Sequence, residues 1–388
     1  MTAYDKEELD DLILIEEAAS LYSAGFIDKN QKDRIKSELT AFRMQNNILV
    51  RLGFFLLGSF LYLSICGAIS LLGLSGEQFF FSICCYIFAL VGFVGAELLA
   101  NLKYYRHGLD DAFVLGSILN LGIAIAITTE GYELIIAVFV AFKSFLLYRR
   151  YLNLPALLVF CVASVAVLFF GLLELGEIGK MILPFVTLLF SAGFYFFTKK
   201  NIQKLTETYH YNGLLFANSF CLILFYLSCN YLVVRELSVT LMDNPIAEGK
   251  DIPFAFFFYA FTLIVPFVYL VQALKTKDRI LLWISFLAIG FSIYTIRFYH
   301  SVLPIEIALT LGGIVLFAIA YFSIKKLKDK ESGLTFKPDR LNSSNPFLNM
   351  ETLIVASAFG VKPEAKPEDS PMDFGGGGFS GGGSEGTF

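Results

Sequence analysis

Five residues stand where charge or an amide is expensive: Glu97, Asp110, Asp111, Asn120 and Lys143 each fall within, or at the edge of, a long apolar stretch. Ionisable side chains in such places mark ion or substrate paths when they face a wet interior; otherwise they pair or snorkel to the headgroups. Glu97 lies within a turn of the end of its stretch, Lys143 is five residues from the end of another, and Asp110 and Asp111 open a third at the same depth. The four charged residues are therefore expected to gather at one face of the membrane. Lys143 is expected to approach Glu97, because a lone ammonium there must snorkel or find a carboxylate. Snorkelling or a structural ion pair is weighed ahead of an ion or substrate site.

Other polar positions have plainer roles. Arg297 and Glu306 flank a short connection and are expected to pair. Asn120, Asn218 and Ser219 lie deeper in apolar runs, where such side chains usually hydrogen-bond between helices. Pro266 stands mid-stretch, removes one backbone donor and should kink a helix there. Gly92, Gly95 and Ala96, like Gly312 and Gly313, offer small surfaces for close helix approach. His107, His210 and His300 have no second ligand at metal spacing, and no glycine run precedes the Lys-Ser or Lys-Thr of a phosphate loop. All six cysteines fall in apolar stretches and read as packing residues. No catalytic constellation stands out, so the expectation is a protein that is not an enzyme and needs no cofactor. The basic residues are spread along the edges of apolar stretches and form no nucleic-acid surface.

The elements that must position these residues are helices in a bilayer. Hydrophobic residues make up 56% of the chain and charged residues 16%, and the mean hydropathy is +0.66. A spanning helix needs roughly 20 mostly apolar residues, fewer when interfacial residues complete it. Such runs occur at Leu52 to Leu74, Phe79 to Ala100, Ala112 to Thr128, Tyr132 to Tyr148, Leu154 to Leu173, Met181 to Thr198, Gly213 to Val234, Ile252 to Leu274, Ile280 to Ile296 and Leu303 to Ile324. They are too long and too continuous for the alternating strands of a membrane barrel. The fold class expected is all-α: a polytopic transmembrane helix bundle of about ten spans, at residues 49–330.

Lysine and arginine fall on alternate loops. One side holds Lys103 and Arg106, Arg149 and Arg150, Lys199, Lys200 and Lys204, Lys275, Lys277 and Arg279, then Lys325 to Lys330; the other holds only Lys180, Arg235, Lys250 and Arg297. Cytoplasmic loops retain the basic excess, so both termini are expected in the cytoplasm. The acidic opening from Asp5 to Asp11 is no secretory n-region, and the first span is expected to remain uncleaved.

Residues 1–48 read as a small cytoplasmic helical hairpin. Leu9, Leu12, Ile13 and Ile15 start a dense apolar helix, and Gly25 supplies a left-handed stop. Asp28 with Gln31 forms a capping box for a second helix carrying Ile35, Leu39 and Phe42. Two such stripes cannot make a core alone and must pack on the membrane domain or on a partner. The stretch Leu21-Tyr22-Ser23-Ala24-Gly25-Phe26-Ile27-Asp28, with the spans that follow, resembles the start of an uncharacterised family of predicted bacterial membrane proteins. In that family a leucine, glycine, isoleucine hairpin precedes eight to ten helices. The resemblance covers about 45 residues and implies a multi-pass protein of the bacterial cytoplasmic (inner) membrane, with no functional residue to carry over.

The remaining part, residues 331–388, turns to Ser, Asn, Pro and Gly. Asn345, Pro346 and Gly360 bracket one expected short helix over 345–360, lying on the cytoplasmic membrane face. Beyond it a glycine-rich, disordered end runs through Phe374, Gly375 to Gly378, Phe379 and Gly381 to Gly383. That end is similar to the glycine-rich, aromatic-punctuated C-termini of bacterial membrane proteins carrying the TPM domain, although the domain itself is absent.

Two functions are consistent with these residues. Ten spans with both termini inside match the count and sidedness of transporters of a small solute or lipid, such as the drug and metabolite exporter class. The alternative is a non-enzymatic membrane scaffold that recruits protein partners through residues 1–48 and 345–388. The lipid bilayer is the one partner common to both.

Overall fold

The computed structural model describes residues 2–23, 25–39, 42–71, 78–205, 208–242 and 251–299, with isolated helical residues between 307 and 325. The described residues lie in the first of two compact units, Met1–Pro346; the second, Phe347–Phe388, falls outside them. They form α-helices joined by short connections, with one isolated backbone bridge between Arg43 and Tyr104.

In chain order the helices are α1 (Lys6–Ser23), α2 (Lys29–Glu38), α3 (Ile48–Leu71), α4 (Gln78–Asn101), α5 (Leu109–Thr128), α6 (Glu133–Tyr151), α7 (Leu154–Leu173), α8 (Glu177–Gln203), α9 (Tyr211–Ser228), α10 (Tyr231–Met242), α11 (Ala255–Thr276) and α12 (Arg279–Tyr299). Eight of them have the length and apolarity to cross a membrane, which makes the chain a polytopic helix bundle. The helix α6 is as long as its neighbours but carries Lys143, Arg149 and Arg150, and is not one of the eight. The expected last span, Leu303 to Ile324, and the expected helix over 345–360 lie mostly or wholly outside the described residues.

Sequential helices pack as neighbours: α4 with α5, α6 with α7, α8 with α9, and α11 with α12, while α3 lies on α5. The α4–α5 contact is close for the reason the sequence suggests. A methyl group added at Gly92 would crowd Ser117, one at Gly95 would enter the Phe113 ring, and Ala96 is buried. Asn120 donates to the Tyr62 hydroxyl across to α3 at 2.8 Å, and Thr198 of α8 donates to Asn218 of α9 at 3.1 Å. Ser219 instead donates to Leu215 within its own helix. The six cysteines are all buried as free thiols.

At the basic end, the N-terminal segment is laced to the loops. The Ala3 amide donates to the Arg150 carbonyl, the Arg43 amide to that of Lys103, and the Tyr4 hydroxyl to that of Tyr104. Tyr4 meets Phe42 and Tyr105 edge-on, and Leu9 and Leu12 of α1 are buried. Lys103 pairs with Glu8 at 2.6 Å, fastening α1 to the 102–108 loop. The Asp28 and Gln31 capping box is present, and Gly25 has φ +75° with Phe26 donating to the Leu21 carbonyl. No residue of α2 is buried.

One glycine is indispensable to this end. Gly108 has φ +107°, and a side-chain carbon there would fall on the Arg51 carbonyl oxygen at the start of α3. Gly108→Ala should therefore cost more than about 2 kcal/mol of stability and sharply lower the yield of folded protein. The control is Gly53→Ala on α3, where nothing lies within 4 Å of the added carbon. That change should leave the melting temperature in detergent equal or higher, since glycine in a helix costs about 0.5–1 kcal/mol relative to alanine.

Candidate functional site

The residues singled out for charge separate into two groups that are both occupied. Asp111, buried in the first turn of α5, is held by Arg51 at 2.6 Å and by the Asn153 amide at 2.7 Å. Asn153 in turn caps α7, accepting from the Ala156 amide. Asp110 accepts the amides of His107 and Gly108 at 3.0 and 2.9 Å and so closes the turn that enters α5. The second group is Glu97, bound by Arg150 at 2.5 and 2.8 Å and by the Tyr151 hydroxyl at 2.7 Å.

Lys143 belongs to neither group. The expected contact with Glu97 does not form, because Arg150 lies two turns further along α6 and reaches the carboxylate with a forked guanidinium, the better match for two oxygens. No ion pair to Lys143 occurs among the described residues, and its half-buried stem lies along α6. The single inner-face cluster is thus replaced by an Arg51–Asp111–Asn153 tie among α3, α5 and α7 and an Arg150–Glu97–Tyr151 tie between α4 and α6. Each carboxylate has its charge partner and hydroxyl or amide donors, the arrangement of a fastening. The Arg297 and Glu306 pair lies outside the described residues, because Glu306 does.

His107 sits between Phe54 and Tyr104, with ring centroids at 4.2 and 4.9 Å, and is 7% exposed. Burial, and then the nearby Arg43 cation, hold its imidazole below the usual histidine range, while the Asp111 carboxylate acts in the opposite sense.

A cavity lies at the other end. The run from Gly213 to Val234, expected as one span, is interrupted: α9 stops at Ser228 and α10 starts at Tyr231. Asn230, fully buried, causes the break. Its side-chain oxygen accepts the Leu232 and Val233 amides and so caps α10, while its amide donates to the Tyr226 hydroxyl at 3.0 Å. Tyr226 meets Ser292 of α12 at 2.8 Å, and Ser292 donates to the Thr262 carbonyl at 2.7 Å.

That carbonyl is the one Pro266 leaves without its helical donor, four residues on in α11. Pro266 is buried, and α11 runs on through it. Thr262 also takes the Tyr231 amide on its hydroxyl at 2.9 Å. Thr262 and Ser292 each lie seven residues from the same end of their helices, a depth of about 10 Å at the helical rise.

Beside the break is a half-enclosed cavity of about 200 Å³ walled by α7, α8, α9, α10 and residues 252–258. Its lining is mostly apolar, with Val165, Phe169, Phe185, Leu227, Val234 and Phe258, and it carries the Thr187, Ser228 and Ser238 hydroxyls; among the described residues Lys180 is its one charged residue. A larger groove of about 680 Å³ runs along Leu263, Phe267 and Val271. Its described walls belong to α11 alone, so it is a flank that lipid tails would wet. Among the described residues no group of His, Cys, Asp and Glu can hold a metal ion.

No family model, curated protein or solved structure matches the chain. The site therefore rests on its own geometry. Sequence reasoning missed Arg51, Arg150, Asn153 and Asn230 as determinants. Arg150 reads in the sequence only as a loop charge, and an asparagine interrupting an apolar run has no distinguishing local pattern. Two signals were available: the pair Cys229-Asn230 before a more polar stretch, and Pro266 on the helix that faces it.

Two outcomes follow. Ser292→Ala should cost about 1–2 kcal/mol, because it strips the donor from a buried carbonyl. The same change in a Pro266→Ala background, where the helix supplies its own amide, should cost clearly less; equal losses in thermal melts of the two pairs would refute the coupling. For His107, the native state disfavours the proton that the unfolded chain accepts at its ordinary value near pH ~6.5. Its contribution is complete above that pH and is lost as pH falls below it. Melting temperatures taken from pH 7.5 to 5 should drop less in His107→Gln than in the unaltered protein.

Proposed function

We propose that this multi-pass protein binds a lipid or a similarly apolar chain in the cavity beside the α9–α10 break and moves it within or across the bilayer. The observation that carries this reading is the cavity itself. Its volume exceeds the roughly 150 Å³ of an apolar cavity that admits benzene, yet lies below the about 300–1,000 Å³ of sites that enclose whole ligands. One end of a hydrocarbon chain fits, and the rest remains in the membrane. A water-soluble solute would find almost no polar partner on these walls. The three carboxylates at the opposite end are occupied, Asp111 and Glu97 by arginines and Asp110 by backbone amides, which supports a lipid cargo over an ion path.

The role we assign is non-enzymatic. The basic end is taken to face the cytoplasm, with both termini there, in a bacterial inner membrane; the alternating lysines and arginines and the resemblance at Leu21 to Asp28 support this. Scaffolding is the second reading. It is supported by Leu14, Tyr22 and Phe26, apolar side chains that the N-terminal region leaves 54%, 40% and 65% exposed.

Leu237 lines the rim of the cavity and is 37% exposed. Leu237→Trp should lower capture of a pyrene-labelled phospholipid by the purified full-length protein by roughly tenfold. It should also slow exchange of a labelled lipid between leaflets of proteoliposomes. Leu189→Trp, on an exposed position of α8 away from the cavity, should change neither. Unchanged capture by Leu237→Trp would leave the scaffold reading standing.

A further inference from the structure

Resting on the lipid reading above, we propose that Lys180 is the headgroup contact of this cavity and that the bound chain belongs to an anionic lipid. Among the described residues, Lys180 is the only charged one on the cavity wall. It sits in the first turn of α8, and Thr187, also on the wall, follows seven residues deeper, about 10 Å along the helix. The cavity therefore has a cationic end and an apolar length, the shape of one acyl chain below its phosphate.

The ammonium is free to change partners. Its contact is Glu177, 2.9 Å away and one turn earlier on the same helix; the Glu177 side chain is 76% exposed. Such an exposed pair holds only weakly, and a phosphate entering from the bilayer surface would replace the carboxylate without leaving it buried. Of the other cations described at this end, Arg297 is not part of the cavity lining and Arg235 is committed. Arg235 donates to the Tyr231 hydroxyl at 2.6 Å, lies 3.9 Å from Asp251 and covers the Tyr299 ring at 4.5 Å.

Two features hold Lys180 in place. Gly179, beside it, is buried so tightly against the Leu172 carbonyl that a side chain there would overlap it, which fixes the turn between α7 and α8. The Lys180 amide donates to the Gly176 carbonyl as α8 begins, and the positive end of the α8 dipole at this end favours an anion. This is an electrostatic addition to the lysine and the cavity, on which the proposal stands.

The test compares phosphatidylglycerol with phosphatidylcholine of identical chains, binding to the full-length protein in detergent and read by native mass spectrometry. The unaltered protein should prefer phosphatidylglycerol by roughly tenfold. Lys180→Gln should erase the preference while retaining phosphatidylcholine, Lys180→Arg should keep it, and Glu177→Gln should raise it by freeing the ammonium. A Lys180→Gln protein with the original ratio would overturn the headgroup contact, as would a Glu177→Gln protein with a lower one if Lys180→Gln fails to fold. Millimolar inorganic phosphate should not displace phosphatidylglycerol; displacement would make the site one for free phosphate and overturn the lipid assignment. The outcome separates from that of the cavity reading. Loss of both lipids in Leu237→Trp together with an unchanged ratio in Lys180→Gln keeps the cavity and removes the headgroup, whereas no loss in Leu237→Trp removes the cavity reading itself.

Discussion

Hydrocarbon offers a peptide group no hydrogen bond, so every departure from the helix inside this bundle has to be answered by another part of the chain. Two departures among the described residues, the α9–α10 break and Pro266, have such partners. Where α9 breaks, the Asn230 side chain caps α10 and the Thr262 hydroxyl takes the Tyr231 amide. Where Pro266 withdraws its amide, Ser292 donates to the stranded carbonyl of Thr262. Asn230, Tyr226, Ser292 and Thr262 thus form one line of donors and acceptors across three helices. The break and the proline are two halves of a single accommodation.

The two ends of the molecule are built on different chemistry. At the basic end, arginines that would orient the chain in a membrane also fasten it: Arg51 to Asp111, Arg150 to Glu97, with Asn153 and Tyr151 filling the remaining lone pairs. The Arg51–Asp111 pair is the buried one, and such a pair adds little net stability relative to apolar packing, but removing one member strands the other. The N-terminal segment then closes over this end through Tyr4, Phe42 and Tyr105. The far end, with its interrupted helix, has fewer charges and keeps a cavity. A protein that handles an apolar chain would want rigidity at one face and room at the other.

The local signals in the sequence were those that act over one or two turns. The run from Leu154 to Leu173 coincides with α7, while the run from Gly213 to Val234 is split between α9 and α10. The capping pair Asp28 and Gln31, the left-handed Gly25 and the small faces of Gly92 and Gly95 are all properties of short windows. Lys143 is the residue expected to need a carboxylate, yet Glu97 is taken by Arg150, because depth counted along one helix does not say how far that helix is shifted against another. Arg150 and Lys143 are seven residues apart, nearly on one face, and which of them meets Glu97 depends on how α6 slides past α4.

Composition and periodicity alone determined an all-α membrane bundle with basic residues on alternate loops, since burial in lipid demands about twenty apolar residues per crossing whatever the fold. Tertiary structure decided the rest. It set the break at Asn230, which depends on Thr262 of α11 arriving to take the Tyr231 amide. It divided the charged residues into two ties and left a cavity with Lys180 on its wall. Those outcomes are contacts between residues from 4 to 60 positions apart, and hydrophobic patterning, which is satisfied by any packing that hides the same faces, carries no information about them.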